Sequence, residues 1–272
     1  MKSLRFFSIL LIAVLLFSCS SDDNNDNNNN DQLIASLYFP LFANTYWTYN
    51  NVSDQGNTSD SLYVKGTQNQ NSTTYTDLDA KIPAIAFMTT LLSQNLVRTN
   101  NSEFILYGEL STPPVDGFPD ISIPLDDVVL FDTEANANTV LSSLNGEIEE
   151  VINELPIVID YIVRTEQKEK LENYTVNGQS FSDVISSMII VTLAITAEIE
   201  VLPGVILPVP ILSSQDVFIV SNYYAANTGL IFSEALTQYE LEDLSGTGIE
   251  LPFPSEASNN VTQSIDQFII GN

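Results

Sequence analysis

Apolar and polar side chains alternate along several stretches of the chain, which is the two-residue period of a β-strand. Residues 62–65, 157–164 and 215–224 follow this pattern. In the clearest case, residues 192–201, one face carries Leu193, Ile195, Ala197, Ile199 and Val201, and the other carries Thr192, Ala194, Thr196, Glu198 and Glu200. We therefore predict strands with one buried face, called the dry face below, and one solvent-exposed face.

A chain reversal is predicted directly after this strand. The segment Leu202-Pro203-Gly204-Val205 fits a type II turn, because proline presets the first central φ and glycine supplies the positive φ that the second position requires. The chain then returns through residues 205–212. Pro208 and Pro210 have no N–H to donate to a ladder, so this returning strand is predicted to be an edge or an irregular arm.

Helical patterns are scarce in the sequence. Residues 84–93 are predicted as a short helix, although their apolar run would also suit a buried strand. Residues 188–199 are the most apolar run after the N-terminus, but their threonines, β-branched residues and two flanking glutamates favour a sheet over a membrane-spanning helix. The sequence therefore predicts a mainly β protein with few short helices.

The first residues have the organisation of a secretion signal. Lys2 and Arg5 precede an apolar run from Phe6 to Phe17 that is too short to cross a bilayer as a stable helix. Leu16-Phe17-Ser18-Cys19 resembles the lipobox of bacterial lipoproteins, in which the cysteine is acylated before cleavage. We expect residues 1–18 to be the signal peptide and Cys19 to be the lipidated N-terminus of the mature chain.

An acidic, asparagine-rich stretch follows the cysteine. Residues 19–32 are expected to form a disordered tether, and residues 33–272 a single β-rich domain. Ser20-Ser21-Asp22-Asp23-Asn24-Asn25-Asp26 also resembles the export signal of surface lipoproteins in Bacteroidota-type bacteria. That resemblance implies an outer-membrane protein, anchored through Cys19 and facing the cell exterior, whereas the simpler interpretation is a solvated linker.

Charge and composition exclude several classes of function. Two of the eight basic residues lie in the signal and all 35 acidic residues follow it, so the mature chain carries an excess of 29 negative charges. Such a surface is repelled by phosphate backbones, which argues against nucleic acid as a partner. The chain has no histidine and one cysteine, which removes histidine-based triads and the commonest zinc ligands. No cofactor is implied.

Three stretches resemble a family of uncharacterised secreted lipoproteins of the same bacterial group. They read YFPLFANTYWTY from Tyr38, VNGQSFSDVI from Val176 and YYAANTGLI from Tyr223. Asn44 and Asn227 stand where the family usually has glycine, and asparagine is the next best residue for a left-handed backbone. The resemblance implies a long, curved antiparallel sheet, shaped as a half-barrel or an open barrel like that of periplasmic lipid carriers, without known catalytic residues.

Aromatic and acidic residues supply two candidate binding or catalytic sites. Trp47, with Tyr46 and Tyr49, would make a stacking platform for sugar rings, but strand aromatics are more often core residues. Glu198 and Glu200 would make a carboxylate pair for glycoside hydrolysis. Residues two apart on a strand point the same way instead of facing each other across a substrate, so a solvated face is the favoured interpretation.

Three further features are weaker signals. Asp116, Asp120, Asp126 and Asp127 offer clustered oxygen ligands for calcium, although their spacing matches no EF-hand loop. Ser61, in Asp60-Ser61-Leu62, resembles the O-glycosylation acceptor of this bacterial group, although an ordinary strand start is the favoured interpretation. The basic residues Arg164, Lys168 and Lys170 are expected to balance neighbouring glutamates in a solvated strand end, in preference to forming a binding patch.

Together these observations favour a binding or carrier module over an enzyme. The first hypothesis is a lipid-anchored protein whose curved sheet offers an apolar concave face to a lipid, a hydrophobic fragment or a partner protein. The second is an accessory subunit of an outer-membrane assembly, for instance in glycan capture, with Val205 to Ile211 as its docking edge. A carboxylate-based hydrolase is a distant third.

Overall fold

The computed structural model describes residues 34–81, 83–111 and 121–271. The described residues contain two short helices, α1 (Ala35–Tyr38) and α2 (Phe87–Gln94). The strands in the same part of the chain are β1 (Tyr46–Ser53), β2 (Gly56–Gln70), β3 (Thr73–Asp79), β4 (Leu96–Asn100), β5 (Glu103–Ser111), β6 (Ser122–Asp132), β7 (Val140–Ile152), β8 (Leu155–Val176), β9 (Gln179–Leu202), β10 (Val205–Ala225), β11 (Gly229–Glu240) and β12 (Glu256–Ile269).

All twelve of these strands belong to one antiparallel sheet. Its order is β6-β5-β4-β3-β2-β1-β12-β11-β10-β9-β8-β7, so most neighbours in space are also neighbours in sequence, and β12 returns to pair with β1. The sheet curls into a nearly closed barrel with one seam, where β6 and β7 meet without a ladder. The prediction of a mainly β chain built on a curved antiparallel sheet is confirmed.

Side chains form hydrogen bonds across the seam, where no β-ladder connects β6 with β7. From β6, the Val129 N–H donates to Ser142 Oγ on β7 (3.0 Å), and the Val129 carbonyl accepts from Thr165 Oγ1 on β8 (2.6 Å). Farther along β6, the Asp132 N–H donates to Gln167 Oε1 on β8 (3.0 Å). The exposed backbone groups of an edge strand are thereby paired where the two ends of the sheet approach each other.

The longest strands, β8, β9 and β10, extend beyond the short ones as an arm. The β9–β10 hairpin turns through Pro203 and Gly204, with Leu202 paired to Val205 and Gly204 at φ +76°, so the predicted reversal is confirmed. Residues 205–212 pair with β9, whereas β10 pairs with β11 only from Phe218 onward. The prediction of an edge strand at the two prolines is therefore also confirmed.

The alternation predicted for residues 192–201 holds along part of the strand. Leu193, Ile195 and Ala197 are buried, and Ile199 is half-buried. Val201 is 50% exposed, so the expectation that it lies on the dry face was wrong. The reason is that the hairpin tip projects past the part of the barrel that could cover it.

Helix α2 confirms the predicted helical segment, which begins three residues later than expected. Its start is fixed by a long-range contact, because the Asp60 carboxylate on β2 accepts hydrogen bonds from the N–H groups of Ile85 and Ala86, at 3.1 Å and 2.8 Å. A carboxylate beside these groups satisfies donors that no helical carbonyl can reach. Helix α1, of four residues, was not predicted, since a single turn leaves no periodic signal.

The core lies inside the barrel. An aromatic layer made of Phe39, Trp47, Phe104, Phe131 and Tyr224 is completely buried, and the rings of Phe39 and Phe104 stack at 4.5 Å between centroids. Trp47 Nε1 donates to the Thr228 carbonyl at 2.6 Å. Indole burial with its N–H paired is the favourable state of a core tryptophan. This end of the barrel is filled by the protein's own side chains.

The segment between β11 and β12, residues 241–255, covers part of the same interior, and we call it the cover segment. Phe253 is buried, and Ile249 and Leu251 are half-buried against the core. Backbone bonds hold its ends, since the Leu241 N–H donates to the Ser255 carbonyl at 2.7 Å and the Glu242 N–H donates to the Ile211 carbonyl at 2.9 Å. The cover segment is therefore an irregular stretch of chain that is held to the barrel at its ends.

Candidate ligand site inside the barrel

A line of buried polar residues crosses the inner face of the sheet. Each is the direct cross-strand partner of the next, from β8 through β9, β10, β11 and β12 to β1. All are at most 3% exposed. We call this set the polar row; its members are Gln167, Ser187, Asn222, Ser233, Gln263 and Asn51.

Apolar residues flank the polar row on both sides. Two residues away along β10 lie Val220 and Tyr224, and two residues away along β9 lie Ile185 and Ile189, all of them buried. Toward the end of the barrel that holds Trp47 the flank is aromatic. Toward the long arm and the cover segment the flank is aliphatic. The polar row therefore separates an aromatic zone from an aliphatic zone of the barrel interior.

The hydrogen bonds of the polar row are incomplete among the described residues. Gln167 uses both ends of its amide, and Asn51 Nδ2 donates to Thr58 Oγ1 at 3.2 Å. Seven other buried side-chain atoms in and beside the row have no protein partner in that part of the chain: Asn51 Oδ1, Ser187 Oγ, Asn222 Nδ2, Asn222 Oδ1, Gln263 Oε1, Tyr49 Oη and Tyr224 Oη. Buried polar atoms are almost always hydrogen-bonded, so this concentration is unusual.

The two tyrosines beside the row are held in their neutral form. Burial, together with the nearby Tyr224 and Asp60, raises the pKa of Tyr49 well above its usual value. Burial also raises the pKa of Tyr224 far above the usual value, and the neighbouring Ser187 hydroxyl offsets this only in part. Both phenols therefore present an O–H group to the interior throughout the physiological pH range.

Helix α2 is tied to the polar row by its own side chains and by Asp60. Gln263 Nε2 donates to Thr89 Oγ1 on the helix and lies 3.5 Å from Asp60 Oδ2. The ring of Phe87 meets Phe218 of β10 edge-on at 4.6 Å. The helix thus packs over the inner face of the sheet next to Gln263, and a carboxylate is the charge nearest to this end of the row.

The aromatic platform proposed for sugar binding is not available. Trp47 and Tyr49 are at most 1% exposed and belong to the core, which confirms the alternative interpretation for these two residues. Tyr46 is half-buried, and the ammonium group of Lys81 lies 4.6 Å from its ring centroid. A cation over the ring face occupies the surface on which a sugar would stack.

The two glutamates considered for hydrolysis lie on the exposed arm. Glu198 and Glu200 are both exposed on β9, and Glu200 Oε1 accepts a hydrogen bond from the Gly204 N–H at 2.7 Å. Glu200 therefore supports the hairpin turn. Glu198 stands opposite Pro208 in the ladder, and the interior with its buried polar atoms lies on the other face of the strand.

Two of the four calcium candidates can be placed. Asp116 and Asp120 lie outside the described residues, and Asp126 is exposed. The Asp127 carboxylate accepts hydrogen bonds from Arg98 Nη2 at 3.0 Å and from the Tyr75 hydroxyl. Partial burial raises the pKa of Asp127, but these hydrogen bonds outweigh it and hold the pKa below its usual value. Asp127 is thus engaged by a cation of the chain itself, and the described residues contain no cluster of three metal-ligating side chains.

Ser61 lies in the interior of the domain. It is completely buried, and its Oγ accepts a hydrogen bond from the Lys81 N–H at 2.8 Å. A glycan has no room there in the folded domain, and Ser61 lies within β2, in line with the favoured interpretation of an ordinary strand. A three-residue motif carries no information on burial.

Arg164 and Lys168, two of the three basic residues at the end of the β8 pattern, form an ion-pair network, as expected for them. Arg164 Nε lies 3.0 Å from Glu166 Oε1, Lys168 Nζ lies 2.6 Å from Glu166 Oε2, and Arg164 Nη2 lies 3.3 Å from Asp216 Oδ2. The hydrogen bond from Lys168, opposed by partial burial and reinforced by Arg164, lowers the pKa of Glu166. These charges neutralise one another on the outer face of the sheet.

Cys19, the expected lipidation site, lies outside the described residues. Within the part of the chain that the structure describes, neither helix has the length and apolarity to cross a membrane. Comparison with known protein families, with curated proteins and with solved structures finds no match to this chain.

The polar row was missed by the sequence reasoning although a signal was present. Ser187 stands between Ile185 and Ile189, and Asn222 between Val220 and Tyr224, so each occupies the register of a dry face. A polar residue in such a register is a candidate for a buried functional group. The row became visible only when the strand register brought six such positions together.

Proposed function

We propose that the protein is a non-enzymatic binding or carrier module, lipid-anchored to the outer membrane through Cys19, that takes an apolar or amphipathic small molecule into its barrel. The observation that carries this proposal is the cover segment. It lies on an aliphatic inner face and is neither strand nor helix. Its central residues can therefore move away from the barrel without breaking the hydrogen bonds between strands.

The surroundings of the cover segment support the same function. Thr247 to Glu250 border an open cleft of about 470 Å³ together with Asn153, Glu154, Leu155 and Ile199. On the other side, a second open cleft of about 580 Å³ is lined by residues 240–244, Leu251, Phe253 and Ser255. Both clefts are open to solvent and have mixed polar and apolar linings, so they mark the borders of the cover segment and not the apolar site itself. Displacing the segment between them would join them over the aliphatic zone of the interior.

The test is native mass spectrometry of the full chain, released gently from detergent micelles after expression in a lipid-rich Gram-negative envelope. We expect a discrete adduct of lipid mass beyond the acyl groups on Cys19. A variant with residues 244–250 replaced by a Gly/Ser linker of equal length should exchange this adduct with added lipid several-fold faster. A Gly/Ser insertion in the exposed β1–β2 turn is the control, and a bare protein mass in every form would contradict the proposal.

A second candidate function is an accessory subunit of an outer-membrane assembly, and the exposed hairpin tip favours it. Val201, Leu202, Val205, Ile206 and Leu207 are each between 48% and 64% exposed and follow one another around the turn. Adjacent exposed apolar residues of this kind are typical of protein contacts. Pro208 and Pro210 restrict strand addition at the neighbouring edge, so the contact would be made by side chains.

This second function is tested by crosslinking in the native envelope. The double variant Ile206→Ser and Leu207→Ser should lose a specific crosslinked partner if the tip is a docking surface. Ile269→Ser removes an apolar residue that is 65% exposed on β12 and serves as the matched control. Deleting Val205 to Ile211 should also abolish partner recovery, but it removes the buried Ile211, whose carbonyl holds Glu242 of the cover segment, so the lipid adduct is compared in the double serine variant.

A further inference from the structure

We infer that the polar row is the subsite for a hydroxyl- or amide-bearing headgroup without negative charge, on an amphipathic ligand whose chain lies in the aliphatic zone. This inference rests on the proposed carrier function and names the class of its ligand. The starting point is the set of unpaired atoms in the row, at Asn51, Ser187, Asn222 and Gln263. An unpaired buried polar atom is costly, so the row is suited to a molecule that supplies both donors and acceptors.

The unpaired atoms are mixed in type. Asn222 presents a donor and an acceptor, Asn51 Oδ1 and Gln263 Oε1 are acceptors, and Ser187 can do either. The hydroxyls of Tyr49 and Tyr224 add two more groups from the aromatic flank. Hydroxyls and amides match such a set, because each of them donates and accepts at once.

The charge around the row selects against anionic headgroups. No lysine or arginine belongs to the row, and Asp60 lies 3.5 Å from Gln263 Nε2. The Asp60 carboxylate already accepts hydrogen bonds from two backbone N–H groups at the start of α2. A carboxylate or phosphate headgroup would therefore lose its hydration without gaining a cation, which is unfavourable in a buried site.

The geometry also sets the extent of the headgroup. The unpaired atoms lie on β9, β10, β12 and β1, and neighbouring strands are about 4.8 Å apart, so they span roughly 20 Å along the curved sheet. One hydroxyl cannot reach them all. A glycerol or a single sugar is about as wide as one strand spacing and would pair with atoms on two neighbouring strands, whereas a simple alcohol reaches one.

The orientation of the ligand follows from the two flanks. The aromatic flank is filled by Trp47, Phe104 and their neighbours. The aliphatic flank, along Ile189, Val191 and Leu193 of β9, is equally buried, so an acyl chain needs the cover segment to move aside. An acyl chain would enter from the side of the cover segment. The headgroup would then be the deepest part of the bound molecule.

The experiment compares three probes with similar hydrocarbon chains, 1-monooleoylglycerol, oleate and 1-octadecene, titrated onto the full chain in detergent micelles and counted by native mass spectrometry. We expect 1-monooleoylglycerol to bind at least tenfold more tightly than either other probe. In Asn222→Leu, which keeps the branched shape of the side chain and removes two unpaired atoms, this preference should fall to about twofold while 1-octadecene binding is retained. Asn173→Leu, on the exposed surface of β8, is the matched control.

The outcomes separate the two proposals. Equal binding of all three probes, or an unchanged preference in Asn222→Leu, would overturn the headgroup subsite and leave the carrier function standing. Failure of the unaltered chain to bind any probe would overturn both. Ser187→Ala, a smaller change in the same row, is measured in parallel, and a loss of preference in it supports the inference even if Asn222→Leu does not fold.

Discussion

Gln167 on β8 accepts a hydrogen bond from the Asp132 N–H on β6, at 3.0 Å, across the single gap in the sheet. The same amide donates to the Ser186 carbonyl at 3.0 Å. The Gln167 backbone pairs with Asn138 and Thr139 in the connection between β6 and β7. Gln167 therefore connects β8 with β6 across the seam, with the β6–β7 connection and with β9.

Replacing Gln167 by Met is expected to lower the free energy of unfolding by about 2 kcal/mol, because it leaves the N–H of Asp132 and the carbonyl of Ser186 without partners. Urea unfolding followed by circular dichroism measures the change. Gln238→Met, on an exposed position of β11, is the control and should change stability by less than about 0.5 kcal/mol. Equal stabilities for the two variants would show that the side chain does not hold the seam.

Replacing Glu166 by Gln is expected to cost about 1 kcal/mol at neutral pH, since the ion pairs with Lys168 and Arg164 are partly exposed. Its pKa is lower in the folded state than the ordinary value of 4.5, so the stabilisation is present above pH 4.5 and is lost as the pH falls through the lower, folded-state value. The measurement is the stability difference between the two proteins from pH 7 to pH 3. Glu172→Gln on the same strand is the control, and a difference that does not shrink in acid would be evidence against the network.

Gly229→Ala is expected to destabilise the fold by more than Gly178→Ala. Both glycines have positive φ, +107° and +82°, so both substitutions carry backbone strain of about 1 kcal/mol. A Cβ at Gly229 would also lie 2.9 Å from Trp47 Nε1, whereas a Cβ at Gly178 meets nothing within 4 Å. Trp47 is the only tryptophan, so a shift of its fluorescence in Gly229→Ala alone reports the contact directly.

The variants Tyr224→Phe and Tyr239→Phe compare the effect of removing a tyrosine hydroxyl at two sites that differ in hydrogen bonding. The Tyr224 hydroxyl makes no hydrogen bond of normal geometry among the described residues and has only the Ser187 hydroxyl beside it, so its removal should change the free energy of unfolding by less than about 0.5 kcal/mol. The Tyr239 hydroxyl donates to the Pro254 carbonyl at 3.2 Å, and its removal should cost about 1 kcal/mol. Thermal unfolding of the ligand-free chain measures both, and a larger loss at Tyr224 would mean that its hydroxyl is satisfied in the apo protein.

Local features of the fold could be read from the sequence wherever neighbouring residues determine them. The Pro203-Gly204 reversal depends only on the φ preferences of two residues. Asn44 and Asn227, named as substitutes for glycine, adopt φ values of +67° and +58°. The dry face at Leu193, Ile195 and Ala197 followed from alternation alone.

Features that depend on distant residues could not be read in this way. The boundary of α2 is set by Asp60, 26 residues before Ala86, and no local capping residue announces it. The polar row depends on the register of six strands, two of which, β1 and β12, lie at opposite ends of the described chain. A one-residue change in any ladder would scatter its members, so pattern alone does not bring them together.

The lack of N–H groups at Pro208 and Pro210 has a consequence for how the molecule behaves at high local concentration. The stretch that contains them and the outer side of β7 are the open strand edges of the arm, and β7 carries Glu147 and Glu149 on exposed positions. Prolines and like charges on such edges oppose the addition of a strand from a second molecule. Copies crowded side by side can therefore touch without polymerising into a continuous sheet.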